Sequence, residues 1–579
     1  MLIDRIYNII IKIFTIGAII LLFTVLIFYS ENVPEIFSLI DMVFLILCIS
    51  SISLGILKSR GFFNFLKENL IMVFIILGYL WLIMLDNTGL FPTSILKADG
   101  DKHFKIKIVF RFIIILSYIS FYWKDLKTLL TRIKLKPAQS FSLGFIIVIL
   151  FGAFLLLLPV SHATTQRLSI IDAIFTSTSA VCVTGLIVVD TATFFTKFGQ
   201  TVILLLIQIG GLGIMTLSAF IIIFSGSKMS LKERTQTLAM LDQDSVSVLK
   251  KLVKLIIIST FVIELIAAFF IYAFVAVKLS MPFQEKIFFS IFHSISAFCN
   301  AGFSVMTDSL MGFKGSFAMN LAIMLLIFFG GIGFPVLFNI KNWLIDKLMH
   351  SKKKKVTRIQ AQTKIALKAS LLLIILGAAA FLILENSGIL KNHTTGNKVI
   401  ISFFQSVTTR TAGFNTVDIG ALNPATLFTF IILMFIGASP SSTGGGIKTT
   451  TLVVLWLTIK ATIKDKKRII IGERTVPDNT LRKAGSLIAI GFFTVFIATI
   501  LIHYFDKIPI IKVLFEAVSA FGTVGLSTGI TASLSTFSKY VLIFLMYFGR
   551  IGPLNLLQAI FQQGDRETVV YPDEKIMIG

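Results

Sequence analysis

The sequence predicts an all-α integral membrane protein: four tandem units of span, half-helix, glycine loop and span, with about four extra transmembrane helices ahead of them. Three observations point there. Apolar runs long enough to cross a bilayer recur along the 579-residue chain. A Gly-containing motif returns at a near-constant period. Lys and Arg collect in short stretches between the apolar runs.

Composition sets the solvent. Hydrophobic residues make up 56% of the chain and charged ones 14%, against roughly 45–50% and 25% in soluble domains. The net charge of +24 is not a nucleic-acid footprint, because the basic residues form no face interleaved with aromatics; nucleic acid is therefore not expected as a partner, whereas membrane lipid is. The three cysteines, Cys48, Cys182 and Cys299, form no CxxC pair, and the six histidines show no HExxH pattern. Neither a disulfide framework nor a zinc site is indicated.

A helix needs about 20 apolar residues to cross the hydrocarbon. Four candidate spans come first: Ile6–Phe28, Ile36–Leu57, Leu70–Leu90 and Ile106–Trp123. Eight follow: Phe141–Pro159, Thr201–Phe224, Leu252–Val277, Phe317–Ile340, Ala369–Leu384, Leu427–Leu457, Ser486–Tyr504 and Val541–Phe561. The basic loops fall on one side of this layout, including Lys124 to Lys136, Lys228 to Lys254, Lys341 to Lys368 and Lys460 to Lys483. That side is expected to be cytoplasmic and to hold both termini.

Four of the opposite loops contain a segment too short to span. They read FTSTSAVCVTGL (Phe175–Leu186), FHSISAFCNAGF (Phe292–Phe303), FFQSVTTRTAGF (Phe403–Phe414) and FEAVSAFGTVGL (Phe515–Leu526). They align on Gly185, Gly302, Gly413 and Gly525, spaced by 117, 111 and 112 residues. The spans that follow carry an echo of their own: QIGGLGIMTL (Gln208–Leu217), FFGGIGFPVL (Phe328–Leu337), IGASPSSTGGGIKTTTL (Ile436–Leu452) and YFGRIGPLNL (Tyr547–Leu556).

Irregular backbone at membrane depth survives only where it is buried or lines water, so four re-entrant loops are expected to meet around one pore. Each half-helix would aim its partly negative C-terminal end at the membrane centre, which favours a cation. The loop carbonyls could then replace a cation's hydration shell. No carboxylate occurs in the four loops, which disfavours an acidic ring. The expected filter residues are Cys182, Val183, Thr184 and Gly185; Cys299, Asn300, Ala301 and Gly302; Arg410, Thr411, Ala412 and Gly413; and Gly522, Thr523, Val524 and Gly525. A secondary carrier for another cation or solute, using broken helices, is the alternative. No nucleophile–base or carboxylate pair suggests an enzyme, and no cofactor is expected in the chain.

CVTGL, CNAGF, RTAGF and GTVGL resemble the four filter loops of the Trk/Ktr/HKT superfamily of potassium transporters, in particular a bacterial Ktr/Trk-type pore subunit. The resemblance runs from about Lys136 to Gln562. It implies potassium uptake across the cytoplasmic (inner) membrane, with potassium as substrate held by backbone carbonyls and sodium coupling left open; a Gly in every loop goes with potassium selectivity in that family. Cys182 stands where Thr is expected. The resemblance also implies that Ser441, Ser442, Thr443, Gly444, Gly445 and Gly446, within SPSSTGGGIKTTT, form an intramembrane gating loop, with Lys448 capping the broken helix and Arg550 facing the pore beneath the filter. Arg410 and Glu516 are expected to brace the filter, and Glu264 and His293 to be buried polar groups bonded to neighbouring helices. Expected partners are a second copy of the chain in a homodimer and a separate cytoplasmic nucleotide-binding RCK-type regulatory subunit, with Lys228–Lys254 and Arg468–Lys483 as docking candidates. The domain plan is 1–134 for the extra helices, 135–562 for the pore in repeats of about 135–251, 252–368, 369–483 and 484–562, and 563–579 for a cytoplasmic tail.

Overall fold

The computed structural model describes residues 42–44, 46, 49–50, 137–163, 168–213, 246–348, 358–466, 468–471 and 474–560. The four N-terminal candidate spans, apart from the few positions just given, lie outside these residues, as do the Lys352–Lys355 run and the C-terminal tail. By contacts the chain divides into two units, Met1–Leu135 with Leu157–Val160, and Lys136–Leu156 with Ser161–Gly579. The second holds nearly all of the described residues.

Among its described residues the regular structure is helical apart from a two-residue antiparallel ladder, Ile470–Ile471 with Arg474–Thr475. The helices are α1 (Pro137–Leu157), α2 (Ile170–Val181), α3 (Lys197–Leu212), α4 (Val246–Phe274), α5 (Phe283–Phe298), α6 (Phe317–Gly331), α7 (Phe334–Leu348) and α8 (Ala361–Glu385). Then come α9 (Thr395–Thr408), α10 (Pro424–Phe435), α11 (Thr449–Ile463), α12 (Asp478–Asp506), α13 (Ile510–Gly522), α14 (Thr536–Ile551) and α15 (Pro553–Ile560).

Length separates two classes of helix. Among the described residues three stretches, Val253–Lys278, Ala361–Glu385 and Asp478–Asp506, are single helices long and apolar enough to cross a membrane, with 26, 25 and 29 residues. At about 1.5 Å per residue each exceeds the roughly 30 Å hydrocarbon core. Their outward faces carry exposed Leu265, Phe269, Leu372, Ile383, Phe493 and Phe496, as a lipid-facing surface requires. By contrast α2, α5, α9 and α13 have 12, 16, 14 and 13 residues, too few to span, and their C-terminal halves are largely buried, with Ile291 of α5 and Phe403 of α9 exposed.

Two spans expected to be continuous are broken, and a third breaks at the glycines where the sequence predicts it. The Phe317–Ile340 stretch bends by 99° between α6 and α7, around Gly333 at φ 93°. The Val541–Phe561 stretch breaks at Gly552, φ 92°, and Leu427–Leu457 breaks over residues 436–448, which include Gly446 at φ 69°. The Thr201–Phe224 stretch ends its helix at Gly213, φ 80°. A residue in this region cannot continue a right-handed helix, and only glycine adopts it freely. The glycine echo in the sequence therefore marks helix ends, a consequence the apolar runs conceal.

The helices pack in a cyclic order. Helix α3 packs on α5, α6 on α9, α10 on α13, and α14 on α2. Each helix that follows a glycine loop thus lies against the next half-helix, and the last returns to the first. The return contact is fastened by an ion pair of 2.7 Å between Lys539 on α14 and Asp172 on α2. Tyr547 Oη also donates to Ser142 O on α1 at 2.9 Å.

Candidate functional site

Each half-helix holds its own loop. A serine in the first three donates to a carbonyl of the preceding long helix: Ser177 to Ile149 O (2.6 Å), Ser294 to Glu264 O (2.6 Å) and Ser406 to Ile374 O (2.7 Å). In the fourth, Ala517 occupies the matching position. A second hydroxyl secures the loop itself. Ser179 Oγ accepts from Gly185 N (3.0 Å), and Ser519 Oγ from Gly525 N (3.1 Å). Ser296 Oγ donates to Phe303 O (2.7 Å), and Thr408 Oγ1 to Phe414 O (2.6 Å).

The third loop is one residue shorter than the others. The loop amide reaches back five residues in three cases, Thr184 N to Ser179 O, Ala301 N to Ser296 O and Val524 N to Ser519 O, but only four from Ala412 N to Thr408 O. This corrects one alignment. The buried aromatics that match are Phe175, Phe292, Phe404 and Phe515, each with no exposed surface, whereas Phe403, which opens the quoted third motif, is 39% exposed. Counting back from the glycine by a fixed number misses the shorter turn.

The four loops share one backbone pattern. Their second positions, Val183, Asn300, Thr411 and Thr523, have φ of 57°, 61°, 69° and 49°. Their fourth, Gly185, Gly302, Gly413 and Gly525, have φ of 93°, 69°, 79° and 90°. Positive φ is rare for any residue with a Cβ and an outlier for a β-branched one, so its fourfold occurrence is built in. The first positions, Cys182, Cys299 and Arg410, are buried, as are Thr184, Ala301, Ala412 and Val524.

The glycines bring the loops together. A Cβ on Gly302 would lie 2.6 Å from Ala412 O, and one on Gly413 would lie 2.5 Å from Val524 O. At Gly185 and Gly525 it would collide with Ala301 O and Thr184 O. The contacts run from the first loop to the second, third, fourth and back to the first.

The residues expected to gate lie directly against these loops. Within 436–448, Gly445 N donates to Thr523 Oγ1 (2.9 Å) and Thr443 Oγ1 to Phe298 O (3.4 Å). Ser439 N and Thr443 N donate to Gly331 O (3.0 Å) and Gly330 O (3.2 Å), and Ser441 O accepts from Phe334 N (3.0 Å). Ser441 has φ 54°, and Ser442 Oγ donates to Ser439 O at 2.6 Å. Lys448 Nζ folds back onto Gly444 O (2.7 Å) and Gly445 O (3.4 Å). Arg550, at the end of α14, donates to Thr443 O and to Gly210 O, joining this segment to the end of α3. Its charge is thus met by carbonyl oxygens.

Other expected residues are placed as follows. Arg410 is 6% exposed and donates to Gly437 O at 3.0 Å, so it reaches the 436–448 segment and not only the third loop. Glu516 accepts from Ser527 Oγ (2.6 Å), Thr528 N (2.9 Å) and Thr531 Oγ1 (3.0 Å), fixing the chain just after the fourth loop. Glu264 accepts from Gln208 Nε2 (3.2 Å). His293 Nδ1 donates to Phe289 O (2.9 Å), with Nε2 3.0 Å from Ser304 Oγ. Sequence reasoning missed Glu385, which accepts from Asn423 N (2.9 Å) and Thr426 Oγ1 (2.6 Å) at the start of α10. Helices α3, α6 and α14 are capped there by their own Thr196, Ser316 and Ser535. It also missed the half-helix serines, although the recurring Ser and Thr in the four motifs were a readable signal.

Comparison with known proteins accords with this arrangement. Residues 102–565 match the family model described as "TrkH: Cation transport protein", beginning upstream of the Lys136 boundary drawn from the motifs. The chain is 40% identical over 451 residues to the Ktr system potassium uptake protein B of Bacillus subtilis (strain 168), covering 77% of this chain and 98% of that protein. It is 38% identical to the protein of the same name from Vibrio alginolyticus, over 76% of this chain and 94% of that one. It is 36% identical to the potassium/sodium uptake protein NtpJ of Enterococcus hirae, over 77% and 98%. The crystal structure of the potassium transporter TrkH from Vibrio parahaemolyticus has the same fold, with a TM-score of 0.60 at 20% identity over 85% of this chain and 98% of that one. The chain therefore belongs to the TrkH family of cation transport proteins.

Proposed function

We propose that the protein takes up potassium across the cytoplasmic membrane through one pore. In this reading the four span, half-helix, loop and helix units surround a single axis, and their four glycine loops form the selectivity filter. The observation that carries it is the shared torsion pattern, with positive φ at the second and fourth position of every loop, closed into a ring by the glycine contacts. In an extended strand successive peptide groups alternate in direction; residues of alternating hand turn neighbouring carbonyls to one side. Four such rows can replace the hydration shell of a monovalent ion. The C-terminal ends of α2, α5, α9 and α13 add partial negative charge at the same place. Relatives named for potassium uptake, at 36–40% identity, support potassium as the substrate. The relative named for potassium and sodium makes sodium the ion to test beside it.

The segment 436–448 is the gate in this reading. It is bonded to the second, third and fourth units, and through Arg550 to the first, which supports a segment lying across the conduction path beneath the filter, in a closed form. Arg550 closes it twice, by donating to the segment and by placing a positive charge on a cation's path. Basic loops on one side make that side cytoplasmic. The resemblance to Ktr-type subunits supports a homodimer and a separate RCK-type regulatory subunit, which the cytoplasmic loops would receive.

The test is rubidium uptake into proteoliposomes, with potassium and sodium as competitors, for the native chain and Gly413→Ser, both checked for folding. A Ser at φ 79° with its Cβ against Val524 O must move the third and fourth loops apart. Potassium-selective uptake that falls at least about tenfold in selectivity in the variant, one 1.4 kcal/mol step of discrimination, supports the filter. Uptake indifferent to Gly413→Ser would move the reading to a carrier.

A further inference from the structure

The gate segment and the filter are hydrogen-bonded to each other directly, and the contact falls on a residue held in an unfavourable backbone conformation. Thr523, the second residue of the fourth loop, has no exposed surface and φ 49°. Its Oγ1 accepts the amide hydrogen of Gly445 at 2.9 Å. The approach is close enough that a Cβ on Gly445 would lie 2.5 Å from that oxygen and 2.8 Å from Thr523 Cγ2. The third loop shows the same proximity, since a Cβ on Gly444 would strike Thr411 Oγ1, and Thr411 Oγ1 itself donates to the Asn300 side-chain amide oxygen of the second loop at 3.2 Å. Second-position side chains of three loops thus form a hydroxyl and amide layer between filter and gate.

We infer that Thr523 couples the gate to the ions in the filter: an ion held by the loop carbonyls keeps Oγ1 where Gly445 N–H can bond it, and withdrawal of the segment releases the innermost ion site. This rests on the filter and gate reading above. A β-branched residue with positive φ persists only while its surroundings hold it. Beyond the bonds within its own unit, Thr523 N to Ala520 O (3.1 Å) and Val524 N to Ser519 O (2.8 Å), two further groups hold Thr523 in this reading: a cation drawing the loop carbonyls to one side, and Gly445 N–H on its hydroxyl. Removing either weakens the grip of the other, because coupling between two binding equilibria is reciprocal. Potassium therefore favours the closed segment, and an opening segment lowers potassium affinity at the site the ion leaves last. Thr523 is a positioning residue here, acting on the ion through its loop.

The experiment labels the segment at its half-buried Ser442. The full chain carrying Ser442→Cys is purified in detergent, where both faces are accessible. Its rate of modification by a charged thiol reagent is measured in potassium chloride and in choline chloride, with the unlabelled chain as background for the native cysteines. The same measurement is made with Thr523→Val, which keeps the branched shape without the hydroxyl, and with Thr523→Ser, which keeps the hydroxyl. Potassium should slow modification several-fold with Thr or Ser at 523 and have no effect with Val. Potassium dependence surviving in Thr523→Val, or absent with Thr523 in place, overturns the coupling. If Thr523→Val does not fold, the potassium dependence of the Ser442→Cys chain decides alone. Rubidium flux of that chain separates the two readings: selective flux with potassium-independent labelling removes only the coupling, and unselective flux removes the filter beneath it.

Discussion

The four glycine loops and the 436–448 segment are both irregular backbone within an apolar protein, yet they are held in opposite ways. Each loop is fixed from within its own unit: Ser179, Ser296, Thr408 and Ser519 bond the loop that follows on the same half-helix, six or seven residues away. The 436–448 segment closes on itself through Gly437 N to Ile447 O (2.8 Å) and Ala438 N to Gly445 O (3.3 Å), but it is also held by partners distant in sequence, Gly331, Phe298, Thr523 and Arg550. Local bonds close short loops at small entropic expense and persist as a unit; distant ones exist only while separate elements remain docked. Under the proposed reading, the same glycine-rich chemistry yields a rigid site or a movable one according to where its hydrogen bonds end.

The largest effect is expected where a half-helix loses its anchor. Phe404→Ala removes a fully buried ring from the α9 core and should cost about 3 kcal/mol in thermal unfolding of the purified protein. Phe403→Ala, on the exposed side of the same helix, should stay within about 0.5 kcal/mol. Equal losses at the two positions would contradict the one-residue offset of the third unit. Next is the movable segment. Arg550→Gln removes charge-assisted bonds to Thr443 O and Gly210 O, each worth about 1.5–3 kcal/mol. Loss of even one such bond, about 1.5 kcal/mol, should raise rubidium flux at least about tenfold with potassium selectivity kept; flux unchanged or lower would mean that Arg550 does not hold the segment shut. The smallest effect sharpens the other half of the comparison. Ser179→Ala removes one bond to Gly185 N, worth about 1 kcal/mol, and should lower potassium-over-sodium selectivity by a few-fold without raising flux. A rise in flux instead would place the first loop among the movable parts.

Much of the site was legible before folding was considered. The four motifs, their period and Arg550 were found from the sequence because glycine and charge are conspicuous inside apolar runs. The chemistry of Gly185, Gly302, Gly413 and Gly525 was readable too, since a missing Cβ permits positive φ and close approach. The breaks at Gly213, Gly333 and Gly552 were not, because apolar residues continue on both sides and hydropathy registers no change of direction. Nothing in the sequence singles out Glu385, just past the Ala369–Leu384 run, since its partners Asn423 and Thr426 lie 38 and 41 residues further on.

By itself the sequence determined an all-α membrane protein with four recurring half-helices and glycine loops, because apolar length and glycine spacing are properties of the chain alone. Only the tertiary structure decided that Val183, Asn300, Thr411 and Thr523 adopt positive φ. It alone set the third loop one residue short and tied the 436–448 segment to Thr523, Gly331 and Arg550. Those outcomes depend on hydrogen bonds and steric contacts between residues up to 340 positions apart, and such pairings exist only once the helices have packed.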